Sequence, residues 1–523
     1  MAENDLDPAR FGTAFKEFME AVVAQATPPT SPLLDRIQSH LGVDPTQLPV
    51  IGEEYDSFEH PNLQVALDAY MAVPGRRADL VGVGADNKRF MAFGLSDLVS
   101  RGGQPGPRLT EGPVDYVNFH LAGDRVLPCV QLGLYLVHDG ASRFVVLVAG
   151  PSDNGPRQKL RVEVLAGRPE DGQRFLAELS DSMARLNVYR GHIISLSPGQ
   201  MGPGRQTLIA FHALPQVTRA DIILPESVLE RIERHTIAFA ERVERLRAAG
   251  RSLKRGILLY GPPGVGKTLM IEYLSGRMPD RTILLTTGLG MGLLQPVIQL
   301  ARSLAPSMVA LEDVDLIAED RGMQFGRTNP LLFELLNEMD GLREDTDVIF
   351  MLTTNRAESL ETALAARPGR IDLAVELTLP DAAGRRRLLD LYARGLELQG
   401  VDLESIVTRI EGATPAYIKE LLRKAAVLAA LEREDLVVTG AHLELALSEL
   451  DEGGRLAQRL LGFNPAQEVN ATGAAPPSSR PMPATGFPVG GTAVVREIPA
   501  PTEEVDAGMC GGEAMYREVF SMG

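Results

Sequence analysis

The stretch Gly261-Pro262-Pro263-Gly264-Val265-Gly266-Lys267-Thr268 constrains this chain more than any other. It fits the spacing G-x-x-x-x-G-K-[ST], in which the glycines let successive backbone N–H groups turn inward around phosphate. GILLYG (256–261) reads as a strand just before it, and LMIEYLSGRM (269–278) as a helix just after it. The helix N-terminus would add the positive end of its dipole. In this motif Lys267 reaches the β- and γ-phosphates and Thr268 binds Mg2+, with Leu269 adjoining them at the start of the helix. A nucleoside triphosphate with Mg2+ is the expected ligand.

The surrounding pattern agrees with such a loop. TILLTT (282–287), MVALED (308–313), VIFMLTT (348–354) and AVELTLP (374–380) are short apolar runs separated by helical stretches. That alternation predicts an α/β fold with a parallel sheet covered by helices. From Asp381 the pattern turns helical, which predicts a small cap. MVALEDVD ends in Glu312, Asp313 and Asp315. A carboxylate at such a strand tip can hold Mg2+ through water, and its neighbour can activate the attacking water. Asn355 ends the next strand, where its amide can orient that water. The competing reading is a turn-forming Asn.

A chain of 523 residues suggests two to four domains. Residues 1–215 read as a separate N-terminal α+β domain that recognises a partner or client. Phe11, Phe15, Phe18, Met19 and Val22 fall on one helical face, and Ser31-Pro32 opens a second helix. Residues 216–380 form the α/β core and 381–452 the helical lid. The tail, 453–523, is rich in Pro, Gly and Ala, cannot bury enough apolar area to order itself, and is expected to be disordered.

Composition excludes several classes. The formal charge of −17 disfavours a phosphate-backbone partner, so no nucleic-acid role is expected. Two cysteines make neither a disulfide framework nor a thiolate zinc site. The eight histidines include no HExxH pair. No apolar run approaches about 18 residues, so no membrane span is expected, and the acidic start lacks a signal pattern. A cytoplasmic, reducing setting is the expectation.

Taken together, GPPGVGKT, LEDVDLIAEDRG, LLNEMDGL (335–342), TTNRAESLETAL (353–364) and RPGRID (367–372) resemble the AAA ATPase family. The set is similar to the clade of proteasomal ATPases, AAA proteases and segregase-type unfoldases. Around the phosphate loop it is also similar to the mitochondrial AAA translocase. The resemblance implies ATP with Mg2+, a ring that is expected to be a hexamer, and remodelling of a protein client. It implies that Glu312 supports the metal, Asp313 acts as catalytic base and Asn355 senses the nucleotide. Arg367 and Arg370 take the places of arginine fingers acting on a neighbouring subunit's ATP. Gly412 and Ala413 take the lid position against adenine, with Ile222 or Ile223 on its other side. Two departures stand out. The acidic pair runs Glu then Asp rather than Asp then Glu, and the loop after the second strand offers Leu289 and Met291 where relatives carry an aromatic. These departures motivate an alternative, an ATP-switched assembly scaffold with little turnover. Phe325 is a further candidate for a pore-lining side chain.

Overall fold

The computed structural model describes residues 8–25, 32–84, 94–99, 110–140, 142–151, 159–198, 207–286, 293–315, 330–356, 370–432 and 435–452. Leu289, Met291, Phe325, Arg367 and the whole tail lie outside them.

The N-terminal part is built on seven strands: β1 (Val50–Tyr55), β2 (Arg76–Gly84), β3 (Thr110–Gly112), β4 (Asp115–His120), β5 (Val126–Asp139), β6 (Ser142–Ala149) and β7 (Leu160–Ala166). They run in the order β1-β7-β6-β5-β2-β3, with β4 paired to the first half of β5. Its pairings are antiparallel. Helices cover both faces. The helices are α1 (Pro8–Gln25), α2 (Pro32–Leu41), α3 (His60–Met71), α4 (Leu95–Val99) and α5 (Pro169–Arg185). Leu67 of α3 and Phe175 of α5 pack on Val146 and Val164, while Leu33 and Ile37 of α2 pack on Leu134 and Leu147. That is why β5 and β6 read as near-continuous apolar runs: a strand covered on both sides loses the alternation of a half-exposed one. The apolar face of α1 forms as its spacing predicts but stays exposed, with Phe11, Phe15 and Phe18 each more than half accessible.

The second sheet has the order β14-β10-β13-β12-β11-β8-β9. Its strands are β8 (Ile193–Pro198), β9 (Thr207–His212), β10 (Arg255–Tyr260), β11 (Thr282–Thr286), β12 (Ser307–Leu311), β13 (Val348–Thr354) and β14 (Leu373–Glu376). All neighbours are parallel except the β8–β9 hairpin. Between them come α6 (Glu226–His235), the short α7 (Ile237–Ala240) and α8 (Val243–Ala248), then α9 (Lys267–Arg277), α10 (Leu294–Ser303) and α11 (Pro330–Gly341). Alternate residues of β10 serve opposite cores. Leu258 faces α10 and α11, whereas Ile257 and Leu259 face α6 and α9.

Two expectations are corrected. The sheet does not start after residue 215, because Ile193, Ile194 and Ser195 of β8 pair with Ile283, Leu284 and Leu285 of β11 and extend it. Nor is the N-terminal part set off by a linker. Phe58 and Tyr189 are buried in the same cluster as Leu300 and Phe350, and Arg190 donates to Ser303 O at 2.9 Å and Ala305 O at 3.1 Å. Apolar burial plus capping of the last carbonyls of α10 makes this junction part of the core.

The lid follows as α12 (Ala382–Tyr392), α13 (Leu403–Arg409), α14 (Pro415–Glu432) and α15 (Gly440–Glu452). A short parallel pair, β15 (Glu397–Gln399) with β16 (Val437–Thr439), interrupts the all-helical pattern expected from sequence. Leu389, Tyr417, Leu421, Val438 and Leu447 form its own core.

Candidate functional site

β10 lies between β13 and β14, while the chain leaving it crosses to β11 on the far side of β12 and β13. This reversal of strand order opens a crevice at the carboxyl ends of the strands. The loop 261–266 sits there, and α9 starts from it at Lys267. Gly264 has φ +81° and Gly266 φ +99°, left-handed backbone that L side chains rarely adopt. Gly266 is the N-cap of α9 and supplies no side-chain cap. The first amides of the helix are therefore left for an anion. Val265 is buried and anchors the loop in the sheet's core.

Lys267 is buried, and its ammonium donates to Gly261 O and Pro262 O, each at 2.9 Å, and to Asn355 Oδ1 at 2.7 Å. Burial pushes its pKa below the usual lysine value, while Asp313 and Asp315 act in the opposite sense. Asn355 Nδ2 donates to Asp313 Oδ1 at 3.0 Å, so Asn355 links the cation to the carboxylate. Asp313 itself has φ +49°. Buried Asp315 accepts from Thr354 Oγ1 at 2.9 Å and from Asn355 N at 3.2 Å, which fixes the Asn355 backbone. Thr268 Oγ1 donates to Glu312 Oε2 at 3.3 Å. Burial raises the Glu312 pKa, partly countered by that hydrogen bond, with Asp313 and Glu272 adding repulsion.

These residues fit Mg2+-nucleotide. The donors facing each other are oxygens, from Thr268 and Glu312. Mg2+ is usually held by one or two carboxylates together with substrate phosphates and water. Among the described residues no cluster of three or more His, Cys, Asp or Glu forms a self-sufficient metal cage.

A cavity of about 740 Å³ runs from the loop to the lid. Ile222, Ile223, Leu269, Leu388, Tyr392, Pro415 and Ala416 are among its lining residues. Gly412 and Ala413, the expected adenine contacts, are not among the residues lining this cavity. Gly412 turns the chain at φ +82°, and Ala413 is buried in the lid core. The wall is made by Pro415 and Ala416, at the start of α14, because the helix N-terminus rather than the preceding turn meets the loop. Ala416 N donates to Gly264 O at 3.2 Å. Asp221 accepts from Arg394 at 3.1 Å and ties the strand-side wall to the lid. Size does not choose the site. A larger open groove of about 1240 Å³, lined by Arg219, Arg234, Arg242 and Arg277, touches no loop residue.

Arg370 lies elsewhere. Its carbonyl sits against Gly256, at the start of β10, and its Nε donates to Asp340 Oδ1 at 2.8 Å. Gly261 lies five residue steps beyond Gly256 along the strand, about 16 Å at ~3.3 Å per step. Arg367 lies outside the described residues. The contributions that motif reading missed are the cavity wall from α12 and α14 and the Thr353 side chain, whose Oγ1 accepts the Asp313 N–H at 3.0 Å. Thr353 was hidden because a β-branched residue in an apolar strand reads as packing.

Fold and site together define a P-loop nucleoside triphosphatase. Residues 257–379 match the family described as "ATPase family associated with various cellular activities (AAA)". The chain is 34% identical over 289 residues to the ATP-dependent zinc metalloprotease FtsH 3 of Synechocystis sp., covering 51% of this chain and 46% of that one. It is 31% identical over 372 residues to the ATP-dependent zinc metalloprotease FtsH of Thermus thermophilus, covering 66% and 58%. The chain therefore spans about half the length of the curated relatives it matches. Residues 257–379 are thus an AAA ATPase domain, of a family that uses ATP with Mg2+.

Proposed function

We propose that the protein hydrolyses ATP within a ring of copies of itself, expected to be a hexamer, and uses the cycle to remodel or translocate a protein client. The observation that carries this reading is the position of Arg370. It belongs to the far end of the sheet from Lys267 of its own chain, farther than an arginine side chain can stretch. Within its own chain that guanidinium pairs with Asp340; in a ring it would reach a neighbour's nucleotide, where it would offset charge on the transferring phosphoryl group.

Within one copy the roles divide by geometry. Lys267 neutralises phosphate charge, Asn355 orients the attacking water and Asp313 takes its proton. Thr268 and Glu312 would hold Mg2+, which supplies charge neutralisation on the phosphates. Arg367 joins Arg370 in the finger set. The N-terminal sheet is the candidate client-binding part, and a cytoplasmic setting is part of the proposal. Among the described residues no helix is long and apolar enough to cross a membrane. The peptidase in the relatives' names is said of them; these 523 residues contain no HExxH pair to hold a catalytic zinc.

The test is a mixing experiment. Lys267→Ala keeps its fingers and Arg370→Ala keeps its phosphate loop, and each alone is expected to be inactive. Mixed rings place the intact phosphate loops of Arg370→Ala copies beside the intact fingers of Lys267→Ala copies, so activity returns in part. Mixtures that stay as inactive as the parents would refute action between copies. The shorter Asp313 favours the second reading, a slow ATP-switched scaffold. Turnover near zero with and without protein clients would select it.

A further inference from the structure

We propose that Thr353 is the positioning residue that makes the Glu312–Asp313 order workable, and this rests on the ATP-hydrolysis reading above. An Asp at the second place of the pair is one methylene shorter than a Glu, so its carboxylate needs help from the backbone to reach the site. The help is visible. The β12–β13 ladder ends at Leu311, opposite Leu352, and the chain then turns at Asp313 through φ +49°. A non-glycine residue adopts that conformation uncommonly, and hydrogen bonds to its surroundings hold it there. Thr353 imposes it from both ends of its own residue. Its side-chain Oγ1 accepts the Asp313 N–H at 3.0 Å, and its carbonyl accepts the Val314 N–H at 3.0 Å.

The side chain is 1% exposed, so no water substitutes for it as the Asp313 partner. Two residues on, Asn355 Nδ2 donates to the Asp313 carboxylate at 3.0 Å. One strand end therefore fixes Asp313 twice, by its amide through Thr353 and by its carboxylate through Asn355. Valine has the shape of threonine without the acceptor. It would leave the Asp313 N–H unpaired and free the turn to relax toward an ordinary strand exit, which draws the carboxylate away from Asn355.

The test uses the full chain with Thr353→Val and Thr353→Ser. Turnover, KM for ATP, the Kd of a fluorescent non-hydrolysable ATP analogue and Tm are measured for each. A misplacement near 1 Å costs up to 10²-fold in rate, so kcat of Thr353→Val is expected to fall roughly 10- to 100-fold. KM and Kd should stay within about threefold of wild type, and Thr353→Ser should recover most of the rate. Adding Thr353→Val to Asp313→Asn should cost nothing further, because both act through one group. Unchanged kcat in Thr353→Val overturns the proposal. So does a loss of kcat, Kd and Tm together, or a serine variant as slow as the valine one. A crystal structure of Thr353→Val gives an answer independent of turnover. Asp313 should leave the left-handed region and Asn355 should lose its carboxylate, and an unaltered turn refutes the idea. Wild-type protein without turnover would instead defeat the ATPase reading and leave that structural comparison standing.

Discussion

Substituting Gly264 by alanine tests the cradle and the lid together. At φ +81° an alanine costs about 1–2 kcal/mol relative to glycine. Its Cβ would then lie 2.9 Å from Ala416 Cβ and 3.0 Å from Thr414 Oγ1. Neither neighbour is the far end of a flexible chain. Both belong to the start of α14, whose Ala416 N–H is bonded to Gly264 O. Relief therefore means moving the loop off its phosphate-binding shape or pushing the helix back from the cavity. With a further contribution of about 1 kcal/mol from the contacts, the total is about 2–3 kcal/mol, or roughly 30- to 150-fold in nucleotide affinity. Titration with a fluorescent ATP analogue measures this directly, alongside Tm. Gly276→Ala, at an exposed position near the end of α9, is the control, since nothing lies within 4 Å of its added Cβ. It should leave affinity unchanged and raise stability by up to about 1 kcal/mol. Gly264→Ala protein that binds within threefold of wild type with unchanged Tm would refute the geometry on which this reasoning stands.

Three further outcomes follow from named groups. Arg281 and Asp347, which directly precede β11 and β13, form a buried ion pair at 2.8 Å, so Arg281→Met strands a buried carboxylate and should cost about 3–5 kcal/mol, read as a lower urea midpoint. Burial holds the His60 pKa down to about 4, against 6.5 when unfolded, with Nε2 bonded to Val130 O at 2.9 Å. The folded chain therefore binds that proton less readily than the unfolded chain. Stability should fall by about 3 kcal/mol as pH drops from 6.5 toward 4, and His60→Gln should flatten that part of the Tm-against-pH curve. The raised Glu312 pKa means that protons compete with Mg2+ at higher pH than for a solvated glutamate. Mg2+-dependent nucleotide binding should therefore weaken on acidification at a higher pH than a solvated glutamate would give, and Glu312→Gln should remove that contribution, as measured by Mg2+ titration at several pH values.

What the linear chain carries by itself is the local chemistry. G-x-x-x-x-G-K-T between a strand and a helix specifies a phosphate loop, since backbone amides and one lysine suffice and all lie within eight residues. The buried strands were readable because a parallel sheet covered on both faces leaves uninterrupted apolar runs, as in Val348–Thr354. Helix α2 was readable from Ser31-Pro32 at its start.

Only the folded chain could decide relations between residues far apart. The Lys267–Asn355–Asp313 chain joins atoms 88 and 42 positions apart. The brace from Thr353 to Asp313 spans 40, and no periodicity encodes it. The hairpin 193–212 looked like the end of one domain because strand propensity says nothing of which sheet a strand will join. That Pro415 and Ala416 line the cavity depends on the meeting of α14 with the loop, where Ala416 N–H donates to Gly264 O. Burial and hydrogen-bond satisfaction are properties of three-dimensional neighbours. They set the raised Glu312 carboxyl, the lowered Lys267 ammonium and the distance that keeps Arg370 from its own phosphate loop.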